Sequence, residues 1–241
     1  METTNEKPEY VYRIMPLRHF LSTLKRGKLY LPRVSKWDDP YELFLFKQQF
    51  VKSSGMPVDT MSEANRIYGQ CWTTARDSDA LWRIYSPDRM SVRIKTTVQN
   101  IEQLTEKSMG NGLYVKPGKI DYQNQNEINA YVKSLTGTSV TNTVLQDSLF
   151  IKRNSFEHEK EYRIIAWMAD FDENNNYTPS SPEYIEIPFP DDFIQEVYLD
   201  PRLSQDEVAM LKHALSLRLG GSCPVSQSTL YKFKQQTIQI P

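Results

Sequence analysis

The first thirty residues alternate short, mostly apolar runs with one amphipathic segment. Residues 11–15 and 28–32 are runs of this kind and predict two short strands. Between them, apolar residues recur at helical spacing over residues 17–24, which predicts a helix that Pro16 opens and Gly27 ends. The chain is therefore expected to begin with a strand, a helix and a second strand.

The same two periodicities continue along the rest of the chain. Alternation and short apolar runs predict strands at residues 70–74, 90–96, 114–122, 161–168, 184–187, 196–199 and 229–233. Helical spacing predicts helices through residues 81–85, 98–104, 127–152 and 206–219. Strands and helices mix without regular β-α-β alternation. The sequence thus predicts one α+β domain over residues 11–241, preceded by a polar tail at 1–10.

Two of the strands carry further expectations. In the strand at 90–96, Val92 and Ile94 alternate with Arg93 and Lys95, so one face is expected to meet solvent. The strand material at 114–122 is expected to break at Pro117 and Gly118.

The C-terminal half carries two expectations about exposure. Residues 170–182 are rich in Asn, Ser and Pro, which predicts an exposed connection. The helix at 206–219 follows a capping Ser204 and is expected to bury one face. The residues predicted on that face are Val208, Leu211, His213, Ala214 and Leu215.

Composition narrows the class of protein. The 29 basic and 30 acidic residues nearly balance, which excludes a disordered polyelectrolyte and a binder that works by bulk positive charge. The longest apolar stretch, residues 164–169, is far shorter than the ~18 residues that a membrane span needs. The first ten residues are polar and do not resemble a secretory signal. We therefore expect a cytoplasmic protein without membrane contact.

The cysteines and histidines argue against a zinc site. Cys71 and Cys223 lie far apart, and neither belongs to a Cys-x-x-Cys pair. The three histidines lack the spacing of metal-dependent hydrolases; they are His19, His158 and His213. The expected chemistry is free of metal or uses a metal held by carboxylates.

Charge is spread unevenly along the chain. Residues 11–37 contain seven basic residues and no acidic one, whereas residues 170–207 contain eleven acidic residues and one basic residue, Arg202. One interpretation is two solvated faces of opposite sign. The other is that the basic segment faces a phosphate-bearing ligand.

Candidate chemistry is confined to polar residues on strands, because the glycines form no phosphate-binding or nucleophile-elbow signature. Side chains two apart on a strand share a face, so we expect Glu159, Glu161 and Arg163 to point the same way and bring two carboxylates together. Arg13 lies on the first strand, and Thr73 lies on the strand at 70–74. Taken singly, each has an ordinary explanation, such as a charged edge-strand entry, a surface arginine or cross-strand packing.

Taken together, these residues have a recognisable order. An arginine on the first strand, a hydroxyl on a middle strand and a Glu-x-Glu before a later strand resemble the ADP-ribosyltransferase superfamily. The whole chain also resembles a bacterial family of unknown function found near defence genes. The landmarks of that family are Tyr12-Arg13, Asp38-Asp39-Pro40-Tyr41-Glu42, Cys71-Trp72-Thr73, Leu81-Trp82-Arg83-Ile84-Tyr85 and Glu159-Lys160-Glu161-Tyr162-Arg163. Thr73 stands where serine is usual, and Asp38 stands where asparagine is expected.

The superfamily resemblance implies a fold of split mixed or antiparallel sheets with flanking helices, and NAD as co-substrate. It assigns Glu161 to the ribose hydroxyl and Glu159 to activation of the attacking group. Cleavage of the nicotinamide–ribose bond builds positive charge on the ribose carbon, which a fixed carboxylate stabilises. Arg13 would hold a ribose or phosphate oxygen and Thr73 would brace the pocket. Either Trp82 or Tyr85 is expected to stack on the nicotinamide ring.

The expected function is that of a cytoplasmic, NAD-dependent ADP-ribosyltransferase acting as a toxin or antiphage effector, with an antitoxin protein among its expected partners. The acceptor is expected to be RNA or single-stranded DNA, guided by Lys25, Arg26 and Lys28, with a protein acceptor as the alternative. Three other readings stay open: an NAD glycohydrolase, a nuclease that holds a metal on Glu159 and Glu161, and a non-catalytic binding module of a defence complex.

Overall fold

The chain folds around a mixed β-sheet with helices on both faces, and the computed structural model describes residues 9–110, 112–169, 182–221 and 223–240. The strands are β1 (Tyr10–Pro16), β2 (Lys28–Pro32), β3 (Phe50–Val51), β4 (Pro57–Val58), β5 (Ile67–Thr73), β6 (Ser91–Thr97), β7 (Leu113–Lys119), β8 (Asp121–Gln123), β9 (Ile151–Arg153), β10 (Glu161–Met168), β11 (Tyr184–Pro188), β12 (Glu196–Leu199) and β13 (Val225–Gln227). The helices are α1 (Leu17–Arg26), α2 (Met61–Ala64), α3 (Asp79–Tyr85), α4 (Val98–Ser108), α5 (Gln125–Ser134), α6 (Asn142–Ser148) and α7 (Gln205–Arg218). Short 3-10 helices lie at Val34–Lys36, Pro40–Leu43 and Asn154–Glu159.

The main sheet is split near its middle. Its strand order is β13-β12-β6-β1-β5-β10-β7, and β12 with β13 is its parallel pair. Strand β1 pairs with β6 at seven positions, but it meets β5 at one position, where Tyr12 faces Thr73. The two halves therefore separate along the seam between β1 and β5. The predicted α+β class is confirmed.

Two hydrophobic cores lie on opposite faces of the sheet. Side chains of successive strand residues point to opposite faces, and Ile164 and Ile165 of β10 accordingly belong to different cores. The first core also holds Phe20 of α1 and Ile101 of α4. The second holds Leu145 of α6, together with residues of α2 and α5. Because both faces are covered, polar groups on the central strands are buried as well.

Gly69 of β5 allows a tryptophan to cover the second face. A Cβ atom at this position would lie 2.4 Å from the ring of Trp37 and 3.2 Å from Ile165 Cδ1. The Trp37 ring in turn lies 4.6 Å from the Cζ atom of Arg163. The missing side chain of Gly69 thus lets Trp37 approach the sheet and shield a buried guanidinium.

Several boundaries agree with the sequence predictions. Strands β2 and β10 have the predicted bounds, and α1 ends before Gly27, which adopts the left-handed conformation with a φ of 62°. Helix α3 follows Ser78, whose Oγ accepts a hydrogen bond from the Leu81 backbone N–H at 3.3 Å.

The expected exposure of β6 is wrong. Arg93 is 2% exposed, and its Cζ atom lies 4.3 Å from the ring of Tyr198 and 5.0 Å from the ring of Tyr12. Asp77 accepts a hydrogen bond from the same guanidinium. Strands β1 and β12 flank β6 on its two sides, so aromatic rings from its neighbours cover the face that carries Arg93.

The predicted break at Pro117 and Gly118 is also wrong, because β7 runs through both residues. Strand β7 lies at the edge of the sheet, where a proline without an N–H group costs no ladder hydrogen bond. The segment 127–152 is helical only in part, since α5 and α6 are followed by β9, which carries Lys152. Parallel pairing with β8 holds this last piece as a strand.

Two C-terminal predictions fail. The last strand is β13 rather than residues 229–233, because Val225 pairs in parallel with Val197 of β12. In α7, Leu215 is buried, whereas His213 and Ala214 are exposed on the outer side.

Two predicted segments lie wholly or mostly outside the described residues. Of the polar tail at 1–10, Tyr10 already belongs to β1. Of the connection at 170–182, the structure describes Pro182, whose carbonyl accepts hydrogen bonds from Arg33 Nε and the Tyr68 hydroxyl, both at 2.9 Å. The division into a tail and one catalytic domain stays a prediction. Within the described ranges, no helix is both long and apolar enough to cross a bilayer.

Candidate active site

A small cavity opens where β1 and β5 separate. Its volume is about 90 Å³, and β1, β5, α3 and the segment 159–161 form its wall. Five of the six residues predicted for catalysis or NAD binding meet here: Arg13, Thr73, Tyr85, Glu159 and Glu161. Trp82 does not. It is fully buried, with its ring 5.8 Å from Arg93 Cζ, so it belongs to the protein interior and cannot stack on a ligand.

Glu161 is buried and bound by two cations. Its Oε1 accepts a hydrogen bond from Arg163 Nε at 2.8 Å, and its Oε2 accepts from Arg163 Nη2 and Lys152 Nζ, both at 3.1 Å. Burial would raise the pKa of Glu161, but the charges and hydrogen bonds of Arg163 and Lys152 outweigh it and lower the pKa to about 2. Glu161 is therefore ionised throughout the physiological pH range.

Lys152 joins three carboxylates with one ammonium group. Its Nζ lies 2.7 Å from Glu159 Oε2, 3.1 Å from Glu161 Oε2 and 3.1 Å from Glu42 Oε1. Burial would lower the pKa of Lys152, but these carboxylates outweigh it and raise the pKa. The lysine is therefore charged, and it connects β9 to β10 and to two 3-10 helices.

Glu159 reaches this cluster through a turn. It ends the 3-10 helix Asn154–Glu159, and Lys160 then adopts the left-handed conformation, with a φ of 44°, before β10 begins. The expected shared strand face is thus wrong for Glu159. The Thr73 hydroxyl donates to the Glu159 carbonyl and accepts from the Ala75 N–H at 3.0 Å. Thr73 therefore holds the turn that orients Glu159.

Arg13 faces Glu161 from the other side of the seam. Its Nη1 donates to the carbonyl oxygen of Cys71, which bridges the gap between β1 and β5. Burial lowers the pKa of Arg13, while the nearby Cys71, Tyr85 and Glu161 oppose that shift. Within the described part of the chain, Arg13 Nε is buried without a hydrogen-bond partner. A buried cationic N–H group of this kind can accept an oxygen of a bound ligand.

Tyr85 and Cys71 complete the wall. The Tyr85 hydroxyl lies 3.4 Å from Glu159 Oε1. Burial raises the pKa of both side chains, with the carboxylates adding to the effect, so the phenol and the thiol are neutral. Both groups therefore keep their proton, and the Tyr85 hydroxyl donates a hydrogen bond to Glu159 Oε1.

The charges around the cavity balance. Glu42, Glu159 and Glu161 supply three negative charges, and Lys152, Arg163 and Arg13 supply three positive ones. The nuclease reading needs an open metal position between the carboxylates, but the Lys152 ammonium occupies the point where they converge. Among the described residues, no group of three His, Cys, Asp or Glu side chains is arranged to hold a metal ion.

The two oppositely charged segments of the sequence are neighbours rather than opposite faces. Strand β11 pairs with β2, and Glu186 contacts Arg26 at 2.5 Å and Lys28 at 3.5 Å. Arg26 and Lys28 therefore share one carboxylate, whereas Lys25 is exposed at the end of α1. Arg26 and Lys28 line a second cavity of about 350 Å³, to which Arg13 also contributes.

The sequence analysis missed two residues of the cluster, Lys152 and Glu42. Lys152 lies in a segment whose sparse apolar spacing predicts helix, and Glu42 lies in an irregular turn. Glu42 belongs to the landmark Asp38-Asp39-Pro40-Tyr41-Glu42, which is the one signal that could have drawn attention to it.

Comparison with known proteins gives one family match. Residues 81–164 match a family model described as "Protein of unknown function (DUF2971)", which confirms the resemblance to a family of unknown function over less than half of the chain. The match includes the landmarks at 81–85 and 159–163. No curated protein matches the chain.

The fold is similar to solved structures of DarT from Thermus sp. 2.9. The structure in complex with NAD+ is 13% identical, with 93% of this chain and 98% of that chain covered, at a TM-score of 0.41. The structure in complex with ADP-ribosylated ssDNA is 13% identical, with 95% and 98% covered, at a TM-score of 0.40. The structure in complex with carba-NAD+ is 12% identical, with 92% and 96% covered, at a TM-score of 0.40. These scores are too low to transfer the role of any residue.

The ion pairs of Glu161 predict a pH-dependent contribution to stability. Its pKa is lowered from 4.5 to about 2 on folding, so the contribution is present above pH 4.5 and is lost as the pH falls toward 2. The shift corresponds to about 3 kcal/mol. Urea unfolding should show that Glu161→Gln costs stability at neutral pH and that the cost falls by about half at pH 3.

Glu106→Gln on the exposed side of α4 is the matched control and should cost little at either pH. A cost of Glu161→Gln that stays constant between pH 7 and pH 3 would show that the carboxylate charge does not stabilise the fold.

Proposed function

We propose that this protein is an ADP-ribosyltransferase that uses NAD as its co-substrate. The observation that carries the proposal is that Arg13 and Glu161 line one cavity in the split seam, with Glu159 and Tyr85 in the same wall. A buried, ionised carboxylate near a half-buried cation whose Nε–H is buried and unpartnered suits a ligand that carries both oxygens and a developing positive charge.

Glu161 is the proposed catalytic carboxylate. Positive charge develops on the ribose carbon as the bond to nicotinamide breaks, and a carboxylate that is already fixed stabilises this charge without reorganisation. Arg163 and Lys152 fix Glu161 from behind. Three of its approximately four lone-pair sites accept hydrogen bonds from these cations, and the Cys71 thiol also interacts with the carboxylate. A ribose hydroxyl would therefore bind Glu161 in place of the thiol.

Glu159 is the proposed base for the attacking group. Its Oε2 is bound to Lys152, whereas its Oε1 has the Tyr85 hydroxyl at 3.4 Å and lies in the cavity wall. One oxygen is thus anchored and the other is placed to take a proton. Such a base contributes about 10²–10⁴-fold to the rate. Thr73 supports Glu159 through the backbone.

A dinucleotide would fit only if it occupied both cavities. A cavity of about 90 Å³ is smaller than the ~300–1,000 Å³ of typical ligand sites, and it suits the reacting end of NAD. The second cavity, of about 350 Å³, shares Arg13 with the first. Arg13 would hold a ribose or phosphate oxygen between them. Its unpartnered Nε supports this role.

The proposed acceptor is a single-stranded nucleic acid, with a protein acceptor as the alternative. The rim of the second cavity carries Arg26 and Lys28, and Tyr30 and Tyr184 lie there with ring centroids 4.5 Å apart. Cations beside exposed aromatic rings are typical of surfaces that bind phosphates and stack bases. Glu186 neutralises part of this charge, so the contribution of Lys25 matters more. The toxin or antiphage role and the antitoxin partner stay predictions from the family resemblance, and the cytoplasmic location stays a prediction from the composition of the sequence.

The first test is transfer of label from NAD. The protein is incubated with labelled NAD, with and without RNA, single-stranded DNA or lysate proteins. The parent should label an acceptor, and Glu161→Gln should reduce labelling by at least about 10²-fold, because it removes the charge opposite the forming cation. Glu106→Gln serves as the surface control.

The outcomes separate the candidate functions. Release of free ADP-ribose without labelling would support a glycohydrolase, and no reaction of NAD would support a binding module. A Glu161→Gln variant that labels within a few-fold of the parent at an unchanged melting temperature would show that Glu161 is not catalytic.

Glu159→Gln should separate the two partial reactions. If Glu159 activates the attacking group, the variant loses transfer to the acceptor more strongly than it loses hydrolysis of NAD by water. Both rates are measured in the same incubation by separating labelled acceptor from free ADP-ribose. An equal loss of the two activities would show that Glu159 only supports the cavity wall.

Alanine substitution of Lys25, Arg26 and Lys28 should weaken nucleic-acid binding and leave the affinity for NAD unchanged. Each lost phosphate contact on a single strand should lower the slope of log affinity against log salt by ~0.7. Binding of RNA and single-stranded DNA is measured at several salt concentrations. The control replaces Lys52, Lys133 and Lys212, which are exposed elsewhere on the surface. Equal salt slopes for parent and variant would contradict the nucleic-acid interface.

A further inference from the structure

The wall of the seam cavity contains two carboxylates that one cation binds at the same time. Glu159 Oε2 and Glu161 Oε2 each lie within about 3 Å of Lys152 Nζ, at 2.7 and 3.1 Å. These two glutamates flank a left-handed residue, Lys160, so the backbone turns sharply between them. Without a bridging cation, two carboxylates this close would repel each other.

We propose that Lys152 is a positioning residue for the proposed transfer reaction, and that its ammonium fixes the spacing of Glu159 and Glu161 at the cavity. This inference rests on the proposed function for its kinetic part. Its structural part, the control of the two carboxylates by Lys152, holds for any ligand of the site.

The surroundings of Lys152 restrict its position. Its side chain is 8% exposed, and its Nζ lies 4.7 Å from the centre of the Phe156 ring. Strand β9 anchors its backbone through parallel pairing with β8, where Lys152 faces Tyr122. Glu42 supplies a third carboxylate at 3.1 Å. The ammonium is thus held on several sides and has little freedom to move away from the glutamates.

Lys152 and Arg163 bind different sets of carboxylates. Arg163 contacts Glu161 and Glu42, at 2.8 and 2.6 Å, and its fully buried guanidinium lies beneath Trp37. Glu159 is hydrogen-bonded to Lys152 and to Tyr85, whereas the carboxylates that Arg163 binds are those of Glu161 and Glu42. Loss of Lys152 would therefore leave Glu161 with one cation and would release Glu159 from the cluster.

Of the two glutamates, Glu161 reports on this arrangement through its titration. The ionisable groups that face them are Glu42, Arg163, Arg13, Tyr85, Cys71 and Tyr122 besides Lys152. Of the cations among these, Lys152 is the one in contact with both carboxylates. Its removal should raise the pKa of Glu161 by about 1–3 units, the usual effect of one nearby opposite charge.

The experiment compares the full-length parent with Lys152→Met, Lys152→Arg and Lys116→Met. The titrations of Glu159 and Glu161 are followed by NMR of ¹³C-labelled glutamate carboxyl groups, assigned with the single Gln variants. kcat and KM for NAD are measured across the pH range. Lys152→Met should lower kcat about 10²-fold with a small change in KM, and should move the titration of Glu161 and the acid limb of the rate upward.

Two variants separate positioning from bulk stability. Lys152→Arg keeps the charge and should retain the low titration of Glu161. Lys116→Met removes an exposed lysine that contacts Asp147 at 2.6 Å, and it should leave the titrations and the acid limb as in the parent.

A further variant covers the case in which Lys152→Met fails to fold. Lys152→Met combined with Glu42→Gln keeps the number of buried charges balanced. Loss of the Glu42 charge alone would lower the titration of Glu161, so an upward shift in the double variant must come from the loss of Lys152.

Unchanged titrations and an unchanged kcat in folded Lys152→Met or the double variant would overturn the inference. A lower melting temperature with the same titrations and the same kcat per folded molecule would also overturn it, since Lys152 would then be structural only. If the parent does not react with NAD at all, the proposed function fails, but the NMR titrations still decide whether Lys152 controls the two carboxylates.

Discussion

The buried ion cluster around Glu161 is the interaction on which the local structure depends. Charged groups in a protein interior are stable only when each is paired, and removal of one partner leaves an uncompensated charge that costs several kcal/mol. Here Lys152 and Arg163 meet three glutamates. Those five residues come from strands β9 and β10 and from two 3-10 helices, so the cluster fixes the relative position of four chain segments at once.

The second core explains why this cluster can be buried. Trp37 covers the guanidinium of Arg163 because Gly69 leaves room for the indole ring against β5. Ile165 lies on the same face of β10 and belongs to the core that α5 and α6 close. Because these side chains exclude water, they strengthen every ion pair beneath them. The paired ions in turn satisfy one another, so few buried polar groups are left without a hydrogen-bond partner. Packing and electrostatics therefore support one another on this face of the sheet.

The sequence predicts the elements better than it predicts the site. Strands such as β2 and β10 have clear boundaries because turn residues and apolar runs are local signals. The neighbourhood of Glu159 and Glu161 was expected from strand alternation, yet it arises from the left-handed turn at Lys160, which no periodicity reveals. The same periodicity does not identify Lys152 as a residue of the site. Its partners lie on segments that only tertiary structure brings together, as with the aromatic rings around Arg93.

The split seam gives the cluster access to a ligand. Strand β1 is held firmly by β6 but meets β5 at a single position, and Arg13 closes the gap through the Cys71 carbonyl. The charges at the cavity already balance without a ligand, so a substrate with a strong net charge at its reacting end would upset that balance. A substrate whose positive charge moves from one ring to the adjacent ribose carbon keeps the total constant. The fixed carboxylate can then favour the second position of the charge, which is how a preorganised site lowers a barrier.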